Sequence, residues 1–173
     1  NDKSWEVIQG SVLDDQFMGK FFDFDYVVSW GVLHHTGNMW KAIENVYHIP
    51  KKHNGILYIA LYNDQGLISK YWAHVKRLYN TNIVAKWLTL IIHFPTIILL
   101  PYLIRKIQRR DISTRGMSLW YDLHDWVGGY PFEVASKSDV KEYFSRDYSL
   151  IKIIDVGRRH GCNEFVFKRK LNS

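Results

Sequence analysis

The stretch FDYVVSWGVLHHTGNMWKAIENVYHIPKKHNGILYIALYN, Phe24 to Asn63, decides the fold, because it holds a strand, a sharp turn, an amphipathic helix and a second strand in one unit. Phe24, Tyr26, Val27 and Val28 form a short apolar, β-branched run that suits a strand buried on both faces. Ser29, Trp30 and Gly31 end it. A chain leaving the carboxyl end of a parallel strand needs a small residue where it turns or where a ligand comes close, and Gly31 supplies one. After the His34-His35 pair, Thr36 and Asn38 are candidate N-caps. Met39, Trp40, Ile43, Val46 and Tyr47 then recur at helical spacing, with Lys41 and Glu44 between them. Pro50 stops this helix, Asn54-Gly55 makes a turn, and Ile56 to Tyr62 reads as another apolar strand. Strand, helix and strand together predict a right-handed crossover and an α/β fold.

Towards the C-terminus, Ser138 is a candidate N-cap for a helix over Asp139 to Phe144. Two strands follow, Leu150 to Ile154 and Glu164 to Phe167, joined through Gly157 and Gly161. Between the two blocks the chain makes a long excursion, from Asp64 to about Ser136. The 173 residues, 47% of them hydrophobic, can bury a core of ordinary domain size, so one domain carrying an insert over about 64–136 is expected.

With FDYVVSWGVLHHTGN followed by a helix, a turn before Gly55 and an apolar strand, the chain resembles the class I S-adenosylmethionine-dependent methyltransferases. The upstream piece Trp5 to Phe17, WEVIQGSVLDDQF, resembles that family's third strand and the loop beside the adenine, with Ser11 where most relatives have an acidic residue. The resemblance implies a Rossmann-like methyltransferase sheet, truncated at the N-terminus, with a mostly helical insert before the last helix and a closing β-hairpin. It implies S-adenosyl-L-methionine as cofactor, with Gly10, Ser11 and Val12 at its adenine end and Ser29, Trp30, Gly31 and His34 at its methionine end. The family's glycine-rich loop and its ribose-holding acidic residue have no counterpart here, so the chain is expected to be the C-terminal part of such an enzyme and to bind the cofactor poorly alone. Trp5 to Gly10, without the neighbours its counterpart has, is expected either to stay unpaired or to pair with Tyr26 to Ser29.

The insert is where the acceptor should be chosen, since loops at the carboxyl ends of strands carry function. Trp87 to Ile104 has no formal charge, is bounded by Lys86 and Arg105, and approaches the roughly 20 residues of a membrane span. Pro95, Pro101 and His93 argue against spanning. Three readings follow in order: a lid helix pair over an apolar acceptor pocket, a segment lying in the membrane surface, and a true span. Arg115 to Ala135 mixes aromatic residues with Asp122, His124, Asp125, Tyr130 and Glu133, which suits a site lining or a packed aromatic loop.

Methyl transfer from a sulfonium is an in-line displacement, so the protein must align the partners, exclude water and take up a proton. His35, and His124 with Asp125 or Asp122, are the candidate bases, while Tyr62, Asp122, Tyr130 and Glu133 are candidate acceptor contacts. No set of His, Asp or Glu has zinc-like spacing, so no metal is expected. The net charge of +6 is scattered apart from Arg105-Lys106, Arg109-Arg110 and Lys168 to Lys170, and no nucleic-acid motif accompanies it. The single Cys162 permits no internal disulfide, which fits a reducing, cytoplasmic setting. A small, lipophilic or aromatic molecule is the expected acceptor, and peripheral membrane contact through 87–104 is the second partner reading. The competing functions are a non-catalytic partner-binding module and a membrane-surface protein with a methyltransferase-like fold.

Overall fold

The computed structural model describes residues 5–108, 119–157 and 161–171, without the side chains of Leu119 and Asp122. Two compact units divide the chain, Asn1–Asp64 with Glu133–Ser173, and Gln65–Phe132. Most of the excursion read from the sequence therefore forms a unit of its own, while its last residues, from Glu133 on, belong to the first.

The first unit is mixed α/β. Strand β1 (Tyr26–Trp30) runs parallel to β2 (Ile56–Tyr62), with Tyr26 opposite Ile56 and Trp30 opposite Ala60. Helix α2 (Met39–Tyr47) connects them. The short α1 (Asp15–Met18) precedes β1, and Asp14 caps it by accepting from the Gln16 and Phe17 amides. Near the C-terminus, α7 (Lys137–Phe144) leads into β3 (Tyr148–Ile154) and β4 (Cys162–Arg169). The four-stranded sheet has the order β1-β2-β4-β3, so β4 pairs antiparallel with both β2 and β3. The last strand thus lies between its hairpin partner and the parallel pair.

One sheet face makes the core. Leu57, Ile59, Leu61, Phe165 and Phe167 alternate inward along β2 and β4, and α2 and α7 lay Ile43, Val46, Val140 and Phe144 on them. Phe144 stacks on Phe167 at 4.4 Å and on Tyr47 at 5.3 Å. On the opposite face Tyr26, Val28 and Trp30 stand exposed, Tyr26 by 75% and Val28 by 64%. A parallel pair is ordinarily covered on both faces.

Several sequence expectations change in detail. Trp5 to Gly10 forms no strand and runs exposed, the first of the two outcomes expected for it, and β1 stays an edge strand. Helix α7 is capped by Ser136, not Ser138: the Ser136 hydroxyl accepts from the Asp139 amide at 3.1 Å, and Ser138 bonds only back to Ser136 Oγ at 2.8 Å.

The second unit is helical: α3 (Leu67–Tyr79), α4 (Ile83–Phe94), a π turn over Pro95–Leu99, α5 (Leu100–Ile107) and α6 (Leu119–Gly128). Pro95 does not end the helix. The wider π turn absorbs the bond that Pro95 cannot donate, and Ile83–Ile107 runs on as 25 helical residues, long and apolar enough to cross a membrane. The stretch read as an aromatic loop is helical over Leu119–Gly128, and its first residues, 115–118, lie outside the described part. The inner faces meet at Val75, Leu90, Leu123 and Val127. Lys76 is also buried there, 1% exposed, with its ammonium 4.5 Å from the Trp126 ring and 5.0 Å from the Phe132 ring, donating to the Trp126 carbonyl.

Candidate functional site at the carboxyl ends of β1 and β2

After Trp30 the backbone turns through Gly31, whose φ of 76° lies in the left-handed region that favours glycine. Nothing stands within 4 Å of where a Cβ would project from it, so the carboxyl end of β1 opens onto free space. A 3-10 turn over Leu33–His35 follows. Leu33 is fully buried in the core and anchors the turn.

The turn delivers both histidines to the end of β2. The His34 and Tyr62 rings lie 4.0 Å apart between centroids, tilted by 44°. His35 meets the same Tyr62 ring edge-on at 5.3 Å, and the two imidazoles are 4.6 Å apart. His34 is buried, while His35 is half-buried and accessible. Burial, with the Cys162 thiol as a lesser cause, raises the Tyr62 phenol above its ordinary pKa. Cys162 sits opposite Tyr62 in the ladder, and burial, aided by the Glu164 charge, pushes its thiol up to about 11. Burial thus favours the neutral form of both groups.

Glu133 closes the group. Its amide donates to the His34 carbonyl at 3.0 Å, and its carboxylate accepts from the Met39 amide at 3.0 and 3.1 Å. Asn38, at the N-cap position of α2, makes no side-chain capping bond, and Thr36 Oγ1 donates to the Leu33 carbonyl at 2.8 Å. The carboxylate from 94 positions away performs the capping that Thr36 and Asn38 were expected to perform. It puts a negative charge at the positive end of the helix dipole. Behind it Ala135 bridges to Asn63, and the Ala135 amide donates to the Tyr62 carbonyl at 3.0 Å.

The other predicted site residues divide between places. Ser29 is half-buried and Trp30 exposed at the end of β1. Gly10 lies against the Phe17 ring so closely that a Cβ would come within 2.1 Å of it. Ser11 Oγ accepts from the Leu13 amide at 3.2 Å, and the Val12 carbonyl accepts from Asn45 Nδ2 at 2.8 Å. Gly10 and Val12 thus have packing roles of their own. His124, Asp125 and Tyr130 belong to the second unit. There His124 Nδ1 lies 2.7 Å from the Tyr79 hydroxyl and its ring meets Trp120 edge-on at 4.6 Å, while Asp125 is exposed. The Asp122 side chain is outside the described residues.

Sequence reasoning missed the asparagines. Asn163, almost fully buried, donates to Asn63 Oδ1 at 2.9 Å and accepts from the Val156 amide at 3.2 Å, while Asn63 Nδ2 donates to the Gly157 carbonyl at 2.8 Å. This clamp fixes the loops beyond β2 and β3. Its members are 100 positions apart, and no local pattern marks them. Among the described residues, no group of three His, Cys, Asp or Glu could hold a metal ion. A cleft of about 350 Å³ lined by Phe22, His48, Lys51, Lys52 and Arg169 shares no residue with the histidine group.

No family model, no curated protein and no solved structure matches the chain.

Proposed function

We propose that the chain is part of a class I methyltransferase and supplies one wall of an S-adenosylmethionine site, at Ser29 to His35. The observation that carries the reading is Gly31: a left-handed glycine at the carboxyl end of a parallel strand, with open space on its Cβ side, is the cradle into which a ligand can come close. The sheet order supports the same reading, since a parallel pair joined to an antiparallel closing hairpin fits the Rossmann-like methyltransferase sheet that the sequence resembles.

Ser29, Trp30, Gly31 and His34 would hold the methionine end of the cofactor, which supplies an electrophilic methyl group. Gly10, Ser11 and Val12 would lie at its adenine end. Trp30 offers an exposed aromatic face, to which a sulfonium is attracted as any cation is. His35, accessible and held edge-on to Tyr62, would take the proton from a hydroxyl or amine acceptor. Glu133 keeps the turn in place by binding both the His34 carbonyl and the start of α2. It acts as a positioning residue, with its carboxylate already engaged. The acceptor is a small, lipophilic or aromatic molecule and the setting cytoplasmic.

Titration of the full-length protein with S-adenosylmethionine tests the reading. Gly31→Val places a branched side chain both at a positive φ and in the cradle, and should weaken binding by about tenfold or more. Unchanged affinity in that folded variant would remove the basis of the proposal and favour a non-catalytic module.

A further inference from the structure

Ile83–Ile107 has a surface that a water-facing helix does not have. Over α4, Ile83, Val84, Trp87, Leu88, Ile91 and Ile92 are all exposed, at the i, i+1, i+4, i+5 spacing that makes up one half of a helix. Ala85, Thr89, Leu90 and His93 on the other half are buried. A helix packed on a soluble unit carries polar residues outside, and here the outer half is wholly apolar. Only 28% of the most apolar stretch is buried.

Two polar side chains of this helix, Thr89 and His93, turn inward, and the exposed Thr96 bonds its own backbone. Thr89 Oγ1 donates to the Ala85 carbonyl at 2.9 Å, and Thr96 Oγ1 donates to the His93 carbonyl at 3.1 Å. His93 places one ring nitrogen 2.7 Å from the Thr89 carbonyl oxygen and the other 2.7 Å from the Tyr71 hydroxyl. Such internal satisfaction is what an apolar exterior demands. The charges sit at the borders: Lys86 near the start, Arg105 and Lys106 in the last turn. Exposed Trp87 and Trp120, 6.4 Å apart, add the amphipathic rings found at lipid headgroup level.

We propose that the Gln65–Phe132 unit binds an anionic lipid surface, with Ile83–Ile107 lying in the plane of the membrane, its apolar half among the upper acyl chains and Lys86, Arg105 and Lys106 at the phosphates. The helix is about 37 Å long, enough to cross a bilayer core of about 30 Å, but its neighbours exclude crossing. Helix α3 packs along α4 through Val75 and Leu90 and carries exposed Lys70, His74 and Arg77, which a spanning arrangement would drag into hydrocarbon. In the plane they stay in water. This inference is independent of the methyl-transfer reading.

Flotation of the full chain with vesicles of phosphatidylcholine alone or mixed with phosphatidylglycerol provides the test. The chain should float with the mixed vesicles and bind the neutral ones more weakly. Ile91→Glu, on the exposed half and away from the core, should reduce binding by about tenfold or more with an unchanged circular dichroism spectrum. Arg105→Gln with Lys106→Gln should remove about thirtyfold of the affinity for anionic vesicles and little of that for neutral ones. Three outcomes would overturn the proposal: a folded chain that floats with neither vesicle, binding that resists alkaline carbonate as a span does, or an apolar face that instead joins two copies in a dimer broken by Ile91→Glu.

Discussion

The two units handle apolar residues in opposite ways. Among the described residues, Asn1–Asp64 with Glu133–Ser173 gathers sixteen buried hydrophobic residues into one cluster between a sheet face and two helices, whereas Gln65–Phe132 gathers only Val75, Leu90, Leu123 and Val127. The second unit is no less apolar; it turns its isoleucines and leucines outward along α4 and α5. It also buries a cation, Lys76, among aromatic rings. Burial thus stabilises the first unit, while the second keeps apolar area available for something other than its own core. The first unit has an outward face too, but a smaller one, where Tyr26, Val28 and Trp30 stand on an otherwise well-packed sheet.

If this contrast is right, equal truncations have unequal costs. Phe144→Ala, which removes a ring stacked on both Phe167 and Tyr47, should destabilise the first unit by about 3–5 kcal/mol in urea unfolding, while Ile91→Ala in the second should stay within about 0.5 kcal/mol. Similar costs for the two would erase the difference between core and surface on which the comparison rests.

Lys76 sharpens it through pH. Burial lowers its pKa to about 8 from the ordinary 10.5. Between those values the unfolded chain holds a proton that the folded chain has released, so the stability of the second unit should rise with pH across that window and stay at its lower level below it. The gain should be about 2–3 kcal/mol, and Lys76→Met should abolish the slope while leaving the first unit unaffected. A pH-independent unfolding midpoint in the wild-type chain between pH 8 and 10 would contradict the buried charge.

Smaller effects belong to the helix ends. Glu133→Ala should cost about 1–2 kcal/mol and fray the start of α2, seen as faster amide exchange at Met39, because the Met39 amide loses its acceptor. Ser136→Ala should cost about 1 kcal/mol in the same unfolding assay and Ser138→Ala close to nothing. The reverse order would restore the cap first expected at Ser138.

What could be read from the sequence follows the range of the forces involved. Strands β1 and β2 and helix α2 fall close to their expected bounds, because alternation and helical spacing are local and Gly31, Pro50 and Asn54-Gly55 punctuate them. The closing helix and hairpin were legible for the same reason, with Ser136 and Ser138 confused since both are good caps two residues apart. The Glu133 cap on α2 was not legible, as no rule of spacing joins positions 94 apart. Nor was the π turn at Pro95, because a proline read locally predicts a break or kink and not the wider turn that carries the helix past it. Of the candidate site, His34, His35, Tyr62 and Glu133 were each singled out from the sequence, but their meeting at the end of β2, like the clamp of Asn63 and Asn163, depends on the tertiary fold.

The most direct test is to irradiate the full-length protein with methyl-labelled S-adenosylmethionine and map the attached label by mass spectrometry. Label is expected on the peptide holding Ser29 to His35, with Trp30 and His34 as the modified residues, and unlabelled cofactor should compete. Label confined to other peptides, or no competable label at all, would contradict the claim that this turn walls a cofactor site.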